Sequence, residues 1–208
     1  MSLYVQYGCG FSSADGWKNY DASPTLRFER IPILGKLYVK NEQRFPKNVS
    51  YGDIITGLPE KEDSCDGIYC SHVLEHLAYQ DLKTALKNTY KLLKTNGIFR
   101  CVVPDLKKLA EKYLKNYNVI NDPASEFMRA TGLGIENRNT SLMGILKEIS
   151  GNSKHLWMWD EKSLINELTN AGFTNCRRCE FNDSEDKNFI AVEQDDRFVD
   201  AVAIECRK

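Results

Sequence analysis

At 208 residues, 42% hydrophobic and 27% charged, the chain has the length and composition of one globular domain with a sizeable core. Lys plus Arg (28) nearly cancels Asp plus Glu (29), so bulk charge gives no reason to expect a nucleic acid or an anionic membrane as partner. No apolar run approaches the roughly 20 residues that span a bilayer, no basic-then-apolar leader is visible, and seven scattered cysteines, an odd number, read as reduced thiols of a cytoplasmic protein.

The first strand is Leu3–Tyr7, which breaks into Gly8-Cys9-Gly10. A second short strand, Trp17–Tyr20, stops at the carboxylate of Asp21. After the Ala22-Ser23-Pro24 turn, a charged connection with no firm element runs to Asn48. Val49–Ile54 reads as a third strand carrying Asp53 at its end, and Cys65–Cys70 (CDGIYC) as a buried fourth. Asp81–Thr95 is the clearest helix: Leu82, Ala85, Leu86, Thr89, Leu92 and Leu93 share one face, with Asp81 as N-cap and Asn96-Gly97 as the stop. Ile98–Val103 is a strand ended by Pro104-Asp105, and Leu106–Tyr117 a second amphipathic helix. From Asn118 to Lys154 the rhythm changes; weak helical stretches at Ser125–Thr131 and Ser141–Ile149 are separated by glycines and asparagines. Such an insert is often a lid or a specificity element. A capped helix at Asp160–Ala171 and strands at Asn175–Phe181 and Val199–Cys206 complete an α/β domain with a mainly parallel sheet, read as one domain over 1–208. Cys176 and Cys179 have redox or zinc spacing with no second pair nearby, and read as alternate positions on a strand.

In open parallel sheets, ligands sit beyond the carboxyl ends of the strands. Here those ends supply Gly8 and Gly10, Asp21, Asp53, Ser71-His72 and Pro104-Asp105. Glycine admits close backbone approach, and an acid at the next strand tip can accept hydrogen bonds from a ribose diol. Strands commonly end in turn-forming residues, but acids and glycines at so many successive ends point to one binding crevice.

At this point the sequence resembles the S-adenosylmethionine-dependent methyltransferases of the class I, Rossmann-like kind, closest to small bacterial ones of type 11. The residues that carry it are Tyr7-Gly8-Cys9-Gly10, Gly16 to Asp21, Gly52-Asp53-Ile54 with Leu58-Pro59, Cys65 to His76, Gly97 to Arg100, Val103 to Leu106, and Ala171-Gly172-Phe173. The resemblance implies a three-layer αβα sandwich around a seven-stranded sheet whose last strand is antiparallel. It also implies S-adenosylmethionine as cofactor. Tyr7, Gly8 and Gly10 would pass its methionine part, Asp21 would bind the ribose hydroxyls, Asp53 the adenine amino group with Ile54 against the ring, and Ser71, as a cofactor-binding residue, and His72 would border the sulfonium and acceptor pocket. Two departures stand out. Eleven positions separate Gly10 from Asp21, too few for the usual first helix and for the roughly 20 of a dinucleotide fingerprint; this leaves Asp15 as a rival for the ribose. Ser12 stands where the family's third glycine would fall.

Methyl transfer is an in-line displacement that needs alignment, exclusion of water and, for a hydroxyl acceptor, removal of a proton. The candidate bases are His72, His76, His155 and Asp105, with His72 and His155 preferred as pocket residues and Trp157 and Trp159 as possible lining. Two other readings compete. His72-Val-Leu-Glu75-His76 matches the inverted zinc-protease pattern, which needs both histidines on one face of a helix. A non-catalytic nucleotide-binding module would share the binding residues. The reading adopted is a metal-independent methyltransferase with a small-molecule or glycan acceptor under the insert; sequence leaves the acceptor and the oligomeric state open.

Overall fold

The computed structural model describes residues 2–32, 43–137 and 154–208. Seven strands form one sheet: β1 (Tyr4–Tyr7), β2 (Trp17–Asp21), β3 (Val49–Tyr51), β4 (Cys65–Ser71), β5 (Leu93–Pro104), β6 (Thr174–Cys179) and β7 (Ala201–Arg207), in the order β3-β2-β1-β4-β5-β7-β6. All neighbouring pairs are parallel except those of β7, which lies antiparallel between β5 and β6. The sheet thus has the seven strands and the reversed last strand expected. The chain leaves β1 in one direction for β2 and β3 and returns beside β1 as β4, so the switch point lies between β1 and β4.

Side chains alternate across the sheet with period two. Val5, Tyr7, Ile68, Cys70, Phe99, Cys101, Val103, Val202 and Ile204 face one side. There α2 (Tyr79–Leu92) lays down Leu82, Ala85, Leu86 and Leu92, and α5 (Glu161–Asn170) lays down Leu164 and Leu168. Trp17, Tyr69, Ile98, Val102, Ala201 and Ala203 face the other side, covered by Phe189 and Val192 from a segment of short 3₁₀ turns. Val49, in register with Asn19, meets Leu26 of α1 (Pro24–Glu29) on that side. The missing first helix explains this arrangement: with only a loop between β1 and β2, chain from much later in the sequence covers the sheet. Tyr4 Oη donates to Asp186 at 2.7 Å, and the Trp17 and Phe189 rings stand 5.5 Å apart. Fully buried Arg100 fastens this cover through Glu193 (2.7 Å), Glu205 (2.9 Å) and Asp183 (3.0 Å).

Several boundaries differ from expectation. The α2 helix begins after Ala78, leaving Asp81 in the first turn, where its charge still suits the helix dipole. It stops at Leu92 because Leu93 pairs with Cys65 and joins β5, overriding helical propensity. The third strand ends at Tyr51; Asp53 belongs to the turn that follows, bridged to Gly57. Within the insert, helix α4 (Pro123–Ala130) takes the place of the first weak stretch, after α3 (Leu106–Asn116). The second stretch, 141–149, lies outside the described residues. Cys176 packs toward the α2 side and Cys179 toward the other, so the pair cannot share a metal, and all seven cysteines are free.

Candidate active site

Gly8 and Gly10 both adopt left-handed backbone (φ +64° and +57°), but for different ends. A Cβ on Gly8 would stand 2.2 Å from Val73 Cγ2, so this glycine lets the β1 tip close onto the turn after β4. A Cβ on Gly10 would meet nothing within 4 Å among the described residues, which leave this side of the tip open. Gly10 N donates to Asp21 Oδ2 at 2.9 Å, and Ser23 N to Asp21 Oδ1 at 2.7 Å. Asp21, largely buried, thereby ties the glycine tip to the β2 tip while each oxygen keeps a further lone pair. Asp15 precedes β2 and so lies toward the opposite edge of the sheet, away from the carboxyl ends. That geometry favours Asp21 over its rival.

The Tyr7 ring is fully buried, its hydroxyl accepting from Thr89, and burial holds its pKa well up; only its backbone can face a ligand. Asp53 Oδ1 accepts from Ile55 N at 2.9 Å, closing an Asx turn. Ile54 is turned into the core beside Tyr20 and Leu58, whereas Ile55 is the half-exposed neighbour. Ser71 Oγ is buried without a hydrogen-bond partner among the described residues. Asp105 caps α3, accepting from Lys107 N at 2.9 Å, with Arg178 at 3.6 Å, so the carboxylate considered as a base has a structural task. Trp159 is a core residue, its ring stacked 6.2 Å from Tyr79; Trp157, 45% exposed, remains at the surface.

His72, the residue after β4, has left-handed backbone (φ +54°), a conformation rare for a residue with a Cβ. Its Nε2 lies 3.0 Å from Arg197 O and its Nδ1 3.3 Å from Glu75 Oε1. Burial alone would lower its pKa, but the Glu75 carboxylate and the Arg197 carbonyl outweigh that and raise it. Only a single 3₁₀ turn, Leu74–His76, follows, so the helix that an inverted zinc-protease site requires is not there. Instead that turn delivers Glu75, 0% exposed, to the middle of a histidine cluster. His155 Nε2 is 4.0 Å from Glu75 Oε1, and the His76 and His155 rings stand edge to face at 4.9 Å. Leu156 N (2.7 Å) and Trp157 N (3.1 Å) both donate to Glu75 O, clamping the exit of the insert to the turn. Gly132 leaves room for this: a Cβ there would lie 2.6 Å from His155 Nδ1. Glu75 was visible in sequence only as part of the zinc pattern; nothing local signals that His155 would reach it.

No described helix is long and apolar enough to cross a membrane. No curated protein sequence matches the chain. In fold it is similar to S-adenosylmethionine-dependent methyltransferases from Thermotoga maritima (16% identity, TM-score 0.53, covering 100% of this chain and 83% of that one) and Archaeoglobus fulgidus (15%, 0.51, 100% and 86%). A third, from Mesorhizobium loti, has 14% identity and TM-score 0.50, covering 99% and 90%. A family model described as a methyltransferase domain matches residues 9–177, which take in Gly10, Asp21, Asp53 and all three histidines. The strand order and the open glycine tip agree with a match spanning most of the sequence: the chain belongs to the methyltransferase domain family.

Proposed function

We propose that the chain binds S-adenosylmethionine across the β1, β2 and β3 tips and transfers its methyl group to a small-molecule or glycan acceptor. The observation that carries this is the open left-handed Gly10 tied to the Asp21 carboxylate. The residues fit such a group: the Gly10 tip offers backbone approach, Asp21 keeps lone pairs for ribose hydroxyls, and Asp53 stands at the next tip for the adenine amino group. Tyr7 and Gly8 shape this tip through backbone and packing, and Ile54 supports the adenine side from the core. The cofactor, once bound, supplies a methyl carbon activated by sulfonium. The chain must align an acceptor with it and exclude water.

His72 and His155 stand on the acceptor side with the unpartnered Ser71 hydroxyl. His72 keeps Nε2 on the Arg197 carbonyl, so its Nδ1, 3.3 Å from Glu75 Oε1, is the nitrogen left to receive a proton. The insert at 118–154 roofs the acceptor; its exit, clamped to Glu75, supports that role. Seven free thiols support a cytoplasmic setting. Calorimetric titration with S-adenosylhomocysteine should show micromolar binding, weakened by roughly 1–3 kcal/mol in each of Asp21→Ala and Asp53→Ala, the cost of a lost buried hydrogen bond. Unchanged affinity in both, with intact folding, overturns the assignment.

A further inference from the structure

All three histidines of the chain converge on one buried carboxylate. Glu75 is 0% exposed, yet among the described residues neither of its carboxylate oxygens has a hydrogen-bond partner; the 3.3 Å approach of His72 Nδ1 lacks hydrogen-bond alignment. A buried carboxylate left in that state is costly unless a cation answers it. The surrounding imidazoles are already oriented for one. Ring nitrogens facing carbonyl oxygens must be the N–H donors, and His76 Nδ1 faces Lys154 O at 2.9 Å while His155 Nδ1 faces Thr131 O at 2.7 Å. Each ring is thereby fixed with its lone pair on Nε2, the arrangement that outer-shell carbonyls impose on metal-ligating histidines. His72, with Nε2 on Arg197 O, likewise has Nδ1 left for the Glu75 side.

We propose that Glu75, His76 and His155 form a binding site for one divalent first-row transition-metal ion, with His72 as a fourth group beside it. One ligand atom from each of the three residues lies within 4.8 Å of the others. A common centre is then no more than about 2.8 Å from each, and a contraction of under about 1 Å reaches the ~2.0–2.2 Å bonds of such ions. Two imidazoles and a carboxylate suit Zn²⁺, Co²⁺, Fe²⁺ or Mn²⁺ and are the wrong set for Ca²⁺ or Mg²⁺. The site departs from the metal-independent reading of the sequence. It differs too from the inverted zinc-protease pattern, because the second histidine comes from the far end of the insert. A cation there stands just past Ser71 and His72, placed to hold an acceptor oxygen. That role rests on the methyl-transfer reading; the binding itself does not.

The test is Co²⁺ titration of the full chain after chelator treatment, followed by visible absorption and thermal melting, with S-adenosylhomocysteine affinity measured in parallel. One Co²⁺ per chain should bind, with d–d bands and no thiolate charge-transfer band, and should raise the melting temperature. Glu75→Gln, which keeps shape and removes the buried charge, should melt no lower than the parent without metal and lose the Co²⁺-induced rise. Its affinity and that of His155→Asn should fall by more than about 100-fold, beyond the loss of an outer-shell partner, while Cys176→Ser binds as the parent does. Absence of saturation at millimolar Co²⁺, a thiolate band, or parent-like binding by both site variants overturns the proposal. S-adenosylhomocysteine binding that persists in any of these cases leaves the methyl-donor site standing on its own.

Discussion

Alanine at Gly8 and alanine at Gly10 impose the same backbone strain but different surroundings, and so separate packing from binding. Holding a Cβ at these positive φ angles costs about 1–2 kcal/mol at either position. At Gly8 the new methyl also falls 2.2 Å from Val73 Cγ2, and forcing the two apart adds the ~1–3 kcal/mol of an overpacked contact. Gly8→Ala should therefore lose about 2–5 kcal/mol, a fall in melting temperature of roughly 4–20 °C at the ~2–4 °C per kcal/mol of a domain this size. Val73→Ala removes the obstructing methyls, so the double variant should recover the overpacking part, a coupling of about 1–3 kcal/mol in a double-mutant cycle. Gly10→Ala should melt only a few degrees low and show no coupling to Val73. Its methyl projects into the open space at the tip, so affinity for S-adenosylhomocysteine should drop at least tenfold, or about 1.4 kcal/mol. Thermal melts and calorimetric titrations of the three single and two double variants read both effects. Gly10→Ala binding as tightly as the parent, or Gly8→Ala unrelieved by Val73→Ala, refutes the division of labour between the two glycines.

Two further outcomes follow from groups outside the ligand crevice. Asp105→Asn, which keeps a good helix cap, should leave both melting and methyl-donor binding near the parent values, whereas Asp105→Ala should lose about 1 kcal/mol of stability; a larger effect of Asn on turnover than on melting would restore Asp105 as a base. Burial would raise the Asp183 pKa, but Arg177, the Glu180 amide and Arg100 outweigh it and bring it to about 2, below the ordinary 3.8. A depressed carboxyl stabilises the fold above its unfolded value, and the contribution disappears as pH falls from about 4 through 2. It is worth at most about 2 kcal/mol, less for its partial exposure. Urea melts between pH 5 and 2 should therefore slope less steeply for Asp183→Asn; parallel slopes would refute it.

Much of the frame was readable because alternation and strand-end chemistry are local. Phe99, Cys101 and Val103 announce one face of β5 by spacing alone, and Asp160 announces α5 as a cap, here completed by a reciprocal bond with Ser163. Asp21 was readable from its position at a strand tip. What local pattern could not convey is competition between partners. Leu93 fits the apolar face of α2 but pairs with Cys65 instead. Asp105 has the chemistry of a base and the surroundings of a cap, and Trp159 has the composition of a pocket wall and the burial of a core. The meeting of Glu75 with His155 depends on Gly132, Thr131 and the return of the insert, contacts that no window of sequence contains.

The cover of the sheet's second face has a kinetic consequence. Tyr4 and Trp17 from the opening of the chain are sealed by Asp186 and Phe189, and Arg100 waits for Glu193 and Glu205. During synthesis the first three strands can pair and α1 can cover Val49, but the Tyr4 and Trp17 part of that side stays bare until the ribosome has released residues beyond 189. Pairings so distant in sequence are slow to close, and exposed sheet faces are where chains stick to one another. The nascent protein should thus spend most of its synthesis as a client for chaperones, and truncation before Phe189 should yield aggregates rather than a smaller stable sheet.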